Sequence, residues 1–342
     1  MLRKKLIGIE DVKPSRPDFE VVGAFNPGVA VLGEETLLLV RVAERVRQED
    51  SDLVRVPVLE DGRVGIRTFR KSDPDCDCSD PRVIRTREGT FLTSRSHFRL
   101  ARSSDGEHFT VADQPTLEGE GPAEAFGIED ARITQIGADS FVTYSSASPY
   151  GIVTGICRTR DFVSFERMGH PFCPDNKDVV IFPERRGAVF PVLHRPSASA
   201  FGPLAVWLAE SPDLCHFGNN RFLFGPREGY FDDKRVGAGC PPIRWGEDWL
   251  LLYHGADRGD RYALAAAVLD GRTLEVKKRS RTPLMEPEEE FEKNGFFSSV
   301  VFVTGCHPIP GGVRVFYGGA DQNVCCADLS FDEIRENLKK GE

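Results

Sequence analysis

The feature that most limits what this chain can fold into is a recurring unit. Each copy has a short apolar strand, a Gly-containing turn and a second strand ending in a polar residue, followed by further strand-like segments. FNPGVAVLGEETLLLVRV begins at Phe25, DPRVIRTREGTFLTSRSHFRL at Asp80 and EDARITQIGADSFVTYSSA at Glu129. KDVVIFPERRGAVFPVLHRP begins at Lys177, GAGCPPIRWGEDWLLLYHGAD at Gly237 and SVVFVTGCHPIPGGVRVFYGGAD at Ser299. Such a period predicts a propeller or solenoid of small antiparallel sheets. A parallel α/β sheet would need helical patterns of ten or more residues between strands, and the pattern offers none. The second strands run continuously apolar (LLLVRV, WLLLYHG, VRVFYGG), as strands buried on both faces do. Ser103–Phe109, Thr159–Phe162 and Ser211–Phe217 each place an Asp before an aromatic, a turn signal at corresponding places. The expected fold is all-β and a single domain over 1–342, with the repeats at about 20–330 and added sequence at about 46–95. FDEIRENLKK predicts a short helix at about 331–340. The Asp80 unit follows an unusually long interval and reads either as a blade or as an extra hairpin on the first.

The 342 residues carry a formal net charge of −9, so neither nucleic acid nor an anionic membrane is an expected partner, and an anion site must be a local cluster. The N-terminal MLRKKLIGIEDVKPSRP lacks an apolar signal core and no run approaches a membrane span, which predicts a cytoplasmic protein. Nine cysteines without paired CxxC knuckles read as reduced thiols. Cys76 and Cys78, within DCDCSD, are the one metal candidate; with no second cluster to complete a shell, a polar loop is the better reading and no metal is expected. Gly237-Ala238-Gly239 lacks the helix and Lys of a phosphate loop, and no nucleophile elbow is present, so no cofactor is expected.

In a propeller the innermost strands converge on a central funnel, bringing together residues some fifty positions apart. Asn26, Arg41 and Arg45 from the first unit, Asp130, Lys177, Arg195, His254 and Asp321 occupy corresponding polar strand ends. One carboxylic acid among several cations suits two tasks, protonating a leaving oxygen and holding an anion. Glu129 and Asp130 are neighbours, and strand alternation sends only one of them into the funnel.

The motifs FNPG at Phe25, GIED-R-I at Gly127, NKDVVIFPER at Asn176, LHRP at Leu193, GAG-PPI at Gly237, LLLYHGAD at Leu250 and EPEEEFEKNGFFSSVVF at Glu286 carry a specific likeness. From about 20 to 330 the chain resembles glycoside hydrolase family 130, the β-mannoside phosphorylases and related β-mannosidases, with a weaker stretch at about 46–95. The resemblance implies a five-bladed β-propeller with its active site in the central funnel, and it favours the extra-hairpin reading at Asp80. It also implies inversion at a mannosyl centre by a single protein acid. Asp130 matches that acid, whose proton is relayed through a sugar hydroxyl, which leaves Glu129 as structural support paired with Arg132. Asn26, Arg41 and Asp321 match residues around the mannose. Lys177, Arg195 and His254 match positions that grip phosphate, and a further first-blade Arg belongs with them: Arg45, with Arg47 and Arg95 as the alternatives. The family's usual Pro is Ala131 here.

An inverting glycosidase needs a second carboxylate, about 6.5–9.5 Å from the acid, to activate water. A phosphorylase needs none, because phosphate is already a nucleophile and requires only cations to bring it into a partly buried site. The basic residues therefore tip the reading toward phosphorolysis, and with the resemblance they imply an inverting phosphorylase that cleaves β-1,2- or β-1,4-mannosides with phosphate to give α-mannose 1-phosphate. The alternative is a β-mannosidase of the same family, with Glu228, Glu184 and Asp178 as candidate bases. More remote is a non-catalytic carbohydrate-binding propeller. Trp207, Trp245, Trp249 and Tyr253 could stack on sugars, although large aromatics at repeat positions more commonly pack blades. Linkage, acceptor sugar and a homo-oligomeric state are left open.

Overall fold

The structure is a computed structural model that describes residues 2–197 and 201–341. Its frame is five antiparallel sheets, four with four strands and one with five. Sheet I contains Phe19–Leu32, Glu35–Val46, Ser94–Ser103 and Thr110–Val111. Sheet II contains Ile128–Ile136, Asp139–Ser148, Gly151–Thr159 and Glu166–Gly169. Sheet III contains Asn176–Ile181, Phe190–Pro196, Val206–Ser211 and Gly218–Phe224. In sheet IV, Arg235–Ala238 and Ile243–Trp245 both pair with Asp248–Ala256, and Tyr262–Leu269 and Val276–Arg279 follow. Sheet V joins Val301–Ile309, Gly312–Gly319 and Asn323–Ser330 to Arg3–Ile7, so its outermost strand comes from the opposite end of the chain.

The continuous apolar runs are explained by burial on both faces. Leu37 and Leu39 pack with Ile128, Ile133 and Val142 of sheet II, while the alternate Leu38, Val40 and Val42 pack with Phe316 and Val324 of sheet V. Leu250 and Leu252 likewise face sheet V, and Leu251 and Tyr253 face sheet III. Val179 and Ile181 complete a layer with Phe141 and Ile156 of sheet II. Each apolar layer is thus shared by two consecutive sheets, and the fifth joins the last sheet to the first. Pairing Arg3–Ile7 with Asn323–Ser330 ties the chain ends across this frame. A buried Glu292 reinforces it by accepting from Arg3 at 2.7 Å and Tyr317 at 2.6 Å.

The Asp-containing outer turns repeat as hydrogen-bonded structures. Asp105, Asp161 and Asp213 each accept from the backbone N–H groups two and three residues on, at 2.8–2.9 Å. Trp249 packs edge-on against Phe182 and Trp245 against Phe331, so these aromatics serve packing.

Between the second and third strands of sheet I the chain makes five extra strands: the hairpin Leu53–Glu60 with Arg63–Arg70, and the small sheet Asp77–Asp80, Val83–Thr86 and Gly89–Leu92. The Asp80 unit is therefore divided, its first part inserted and its second part, Ser94–Ser103, a strand of sheet I. It is neither a blade nor one hairpin. Cys76 and Cys78 pack with Phe69 and Phe91 against Val54, Val56, Val58 and Ile84 of this insertion. The segment Phe331–Lys339 is helical, with Ser330 as N-cap to Glu333, and Ile334 and Leu338 buried. Among the described residues no helix is long and apolar enough to cross a membrane.

Candidate active site

Strand pairing places one residue pair from each sheet at a common level. The pairs are Phe25 with Arg41, Glu129 with Ser145, Lys177 with Arg195, Gly237 with His254, and Phe302 with Gly318. In sheets I, II and III the register shifts immediately after this level, and the next residue has a left-handed backbone: Asn26 at φ 45°, Asp130 at 57° and Asp178 at 56°. A β-bulge re-aims the side chain that occupies it. Strict alternation therefore fails here, and Glu129 and Asp130 both line one pocket of about 340 Å³ together with Asn26, Arg41, Lys177 and Asp178. This corrects the expectation that only one of the adjacent carboxylates would enter.

Two glycines at the common level make room for these groups. A Cβ on Gly318 would lie 1.9 Å from Asn26 Oδ1, and one on Gly237 would lie 2.4 Å from Asp178 Oδ2 and 2.5 Å from His254 Nε2. Any larger residue would displace the polar side chains.

Arg41 organises the two adjacent carboxylates. Its guanidinium donates to Asp130 Oδ1 at 2.9 Å, to Glu129 Oε1 at 2.8 Å and to Ser96 Oγ at 3.1 Å, and it lies 4.5 Å from the centre of the Phe25 ring. Asn26 Nδ2 donates to the same Asp130 oxygen at 2.8 Å. Glu129 thus pairs with Arg41 and not Arg132, because the bulge separates Glu129 from the residues that follow. Arg132 instead donates to the Asp130 carbonyl at 2.8 Å and to Asp178 Oδ1 at 3.0 Å. Burial alone would raise the Asp130 pKa, but the charges of Arg41, Arg132 and Lys177 outweigh it and hold the carboxyl below its ordinary range.

Asp178 anchors a second group. Its Oδ2 lies 2.8 Å from Arg195 and 3.3 Å from His254 Nε2. Burial opposes its ionisation, yet Arg195, His254 and Arg132 bring its pKa well below normal. His254 has no exposed surface, and burial lowers its pKa to about 4 despite Asp178, leaving the imidazole neutral at pH 7. It supports Arg195 from behind, at 3.4 Å, and does not itself line the pocket. Lys177 differs: it lines the pocket, and its side chain has no ion pair or hydrogen bond to any described residue. Asn26 Oδ1 and Arg195 Nε are also buried without a partner among the described residues, the condition of groups that meet a ligand.

Asp321 lines the pocket, where burial raises its pKa to about 7, the charges of Asp130 and Glu129 adding to the rise and Arg41 and Lys177 opposing it. The unfolded carboxyl loses its proton near 3.8 while the folded one keeps it to about 7, so this group costs stability as pH rises through that window. Asp321→Asn is expected to leave the urea midpoint unchanged at pH 4 and to raise stability by about 1–2 kcal/mol at pH 8, allowing for water at its partly exposed edge. Equal midpoints at both pH values would refute the shift.

The first-sheet arginine is placed differently from the expectation. Arg45 lies outside the pocket, paired with Glu20 at 2.6 Å on an exposed face, because it continues the second strand beyond the common level. Arg47 donates to the Phe19 carbonyl, and Arg95 to the Gly119 carbonyl. Arg95 belongs to a separate crevice of about 440 Å³ beside Glu44 and His97, where Glu44 is already matched by Arg99 at 3.0 Å. The basic groups that do line the pocket beyond expectation are Arg82, carried by the insertion, and Arg235, which bonds Tyr262 at 2.8 Å. Phe296, Phe297 and Phe302 add apolar wall, whereas Trp207, Trp245, Trp249 and Tyr253 do not reach it. Of the candidate bases, Glu184 and Glu228 lie outside in exposed contacts with Arg244 and Arg258. Asp178 is inside but bound by three partners. A signal for Asp178 existed: Phe25-Asn26, Glu129-Asp130 and Lys177-Asp178 are the same two positions of the repeat. Arg82 stands at the start of the Asp80 unit, whose first part forms a separate three-stranded sheet, so its place in the repeat did not point to the pocket.

A pocket of carboxylates interleaved with cations, on this frame, coincides with a match over residues 83–340 to the sequence profile of glycoside hydrolase family 130, described as β-1,4-mannooligosaccharide phosphorylase. The chain belongs to glycoside hydrolase family 130. A β-1,2-mannobiose phosphorylase of Listeria innocua is 45% identical over 336 residues, covering 96% of this chain and 95% of that protein. The solved structure of a Listeria innocua enzyme of that name with β-1,2-mannobiose matches at a TM-score of 0.93 and 44% identity, covering 99% of both chains. A 1,2-β-oligomannan phosphorylase of a Thermoanaerobacter species is 31% identical, covering 70% of this chain and 80% of that protein.

Proposed function

We propose that this family 130 protein is an inverting β-mannoside phosphorylase that cleaves β-1,2-mannobiose with phosphate, yielding α-mannose 1-phosphate and mannose. Its frame, with five apolar layers in cyclic order, we interpret as a single five-bladed β-propeller whose funnel holds the pocket. The observation that carries the reading is Lys177. It is a lining cation whose side chain has no ion pair or hydrogen bond among the described residues, at the same level as Arg195 and in the electrostatic field of Asp130, in a chain of net charge −9. An anion is the ligand such a group requires. The Listeria relative supports β-1,2 linkage.

Asn26, Arg41 and Asp321 hold the mannosyl unit, and Lys177 and Arg195, the latter steadied by His254, hold phosphate. Asp130 is ionised in the free pocket. A phosphate dianion beside Lys177 offsets one of the cations that depress it, so the carboxyl gains its proton when the nucleophile is present. A phosphate oxygen attacks the anomeric carbon opposite the leaving oxygen. The glycosidic C–O bond breaks, and the leaving oxygen takes the Asp130 proton. One displacement converts β to α, and no cofactor is required. Nine unpaired thiols suit a cytoplasmic setting.

The test is incubation with β-1,2- and β-1,4-mannobiose, with and without phosphate. α-Mannose 1-phosphate formed only with phosphate, and faster from the β-1,2 isomer, is the expected result. Free mannose released at equal rates with and without phosphate would overturn it.

A further inference from the structure

The pocket does not end at its charged floor. A second, more open groove of about 450 Å³ shares Arg82, Phe296 and Phe297 with it and adds Ser79, Asp80 and Pro81 from the insertion's turn. From these contiguous spaces we infer that the insertion supplies the subsite for the departing sugar, with Arg82 as its hydrogen-bonding group and Phe296 and Phe297 as its apolar wall. This rests on the phosphorylase reading.

Arg82 is built for the task. Its Nε and a terminal nitrogen meet the two Asp80 oxygens at 3.0 Å each, and its backbone N–H donates to the same carboxylate at 2.9 Å. This two-point contact fixes the guanidinium's orientation while leaving further donors uncommitted. The Phe297 ring centre lies 5.9 Å away. Phe296 is 46% exposed, a large aromatic surface left open at the mouth of a polar pocket. A ring face beside a planar donor matches a pyranose, with its apolar C–H face and its hydroxyl rim.

The charges set Arg82 apart from the phosphate group. Its electrostatic partners are Asp80 and Asp321, whereas Arg195 and His254 answer to Asp178. The mannosyl unit that is transferred must reach Asp130 and Lys177 on the floor. Its leaving partner must extend outward, and the outward space is the one bounded by the insertion turn and the 296–297 segment.

The experiment is run in the synthetic direction, with α-mannose 1-phosphate as donor and mannose as acceptor, on the intact protein, Arg82→Ala and Phe296→Ala. Both variants are expected to raise KM for mannose about tenfold or more. In the cleavage direction, KM for phosphate should stay within about twofold of wild type. Because Phe296 is half exposed, its truncation keeps the test valid if Arg82→Ala perturbs the turn. Unchanged KM for mannose in both variants would overturn the inference, as would a rise confined to phosphate, which would move Arg82 into the anion site. Wild-type protein that makes no mannose 1-phosphate from mannobiose and phosphate would overturn the function itself, a result read before either variant is compared.

Discussion

Asp130→Asn is expected to lower kcat for mannobiose phosphorolysis by about three orders of magnitude or more, equivalent to about 4 kcal/mol of transition-state stabilisation at about 1.4 kcal/mol per factor of ten. The substitution preserves shape, and an amide at this position can still receive the Asn26 and Arg41 hydrogen bonds of 2.8 and 2.9 Å through its oxygen. What it removes is the proton. Departure of a sugar alkoxide without protonation is the costly step, so the loss should depend on the leaving group. An aryl β-mannoside, whose phenolate leaves without help, is expected to retain most of its wild-type rate in the variant. A loss under tenfold with mannobiose, or an equal loss with both substrates, would show that Asp130 is not the acid. The left-handed backbone at this position makes the test cleaner, since Asn tolerates φ 57° about as well as Asp.

The second large effect is structural as well as functional. Asp178→Ala is expected to destabilise the protein by about 3–5 kcal/mol, because removing one member of a buried ionic group leaves the others uncompensated. Asp178 is 2% exposed and faces two guanidiniums, Arg132 at 3.0 Å and Arg195 at 2.8 Å, with His254 at 3.3 Å. Arg132 also holds the Asp130 carbonyl, so the loss should reach the acid. Urea denaturation gives the stability term, and initial rates at varied phosphate give KM, expected to rise until saturation is lost. Lys177→Ala is the control: it should raise KM for phosphate with stability within about 0.5 kcal/mol of wild type, since its side chain has no ion pair or hydrogen bond among the described residues to orphan. Unfolding of Asp178→Ala at the wild-type urea concentration would show that the buried network contributes nothing to stability.

The contrast between Asp178 and Arg82 shows how far the linear chain could be read. Strands and the long apolar runs were legible, because Leu37 to Val42 alternate between two buried faces and can be neither surface strand nor helix. The polar positions Asn26, Arg41, Asp130, Lys177, Arg195 and Asp321 were legible as a set because the repeat places them at comparable phases, and all six line one pocket. Orientation was not legible. The shifts of register at Asn26, Asp130 and Asp178 are single-residue bulges that break the period-2 rule. That is why Glu129 turned out to face Arg41.

The sequence carried the all-β class and the recurrence of small sheets, since burial and repeat phase are written along the chain, and its motifs carried the likeness to glycoside hydrolase family 130 and the choice of Asp130 as candidate acid. Only the folded structure decided which cations meet the Asp130 carboxylate. Arg45 and Arg82 are both arginines near the first sheet, yet one pairs with Glu20 outside and the other reaches the pocket from an inserted turn. Arg45 follows its strand past the common level, whereas the fate of Arg82 depends on where the insertion meets the mouth. That is a matter of long-range packing between the insertion and the segment at Phe297, and no local pattern of residues encodes it.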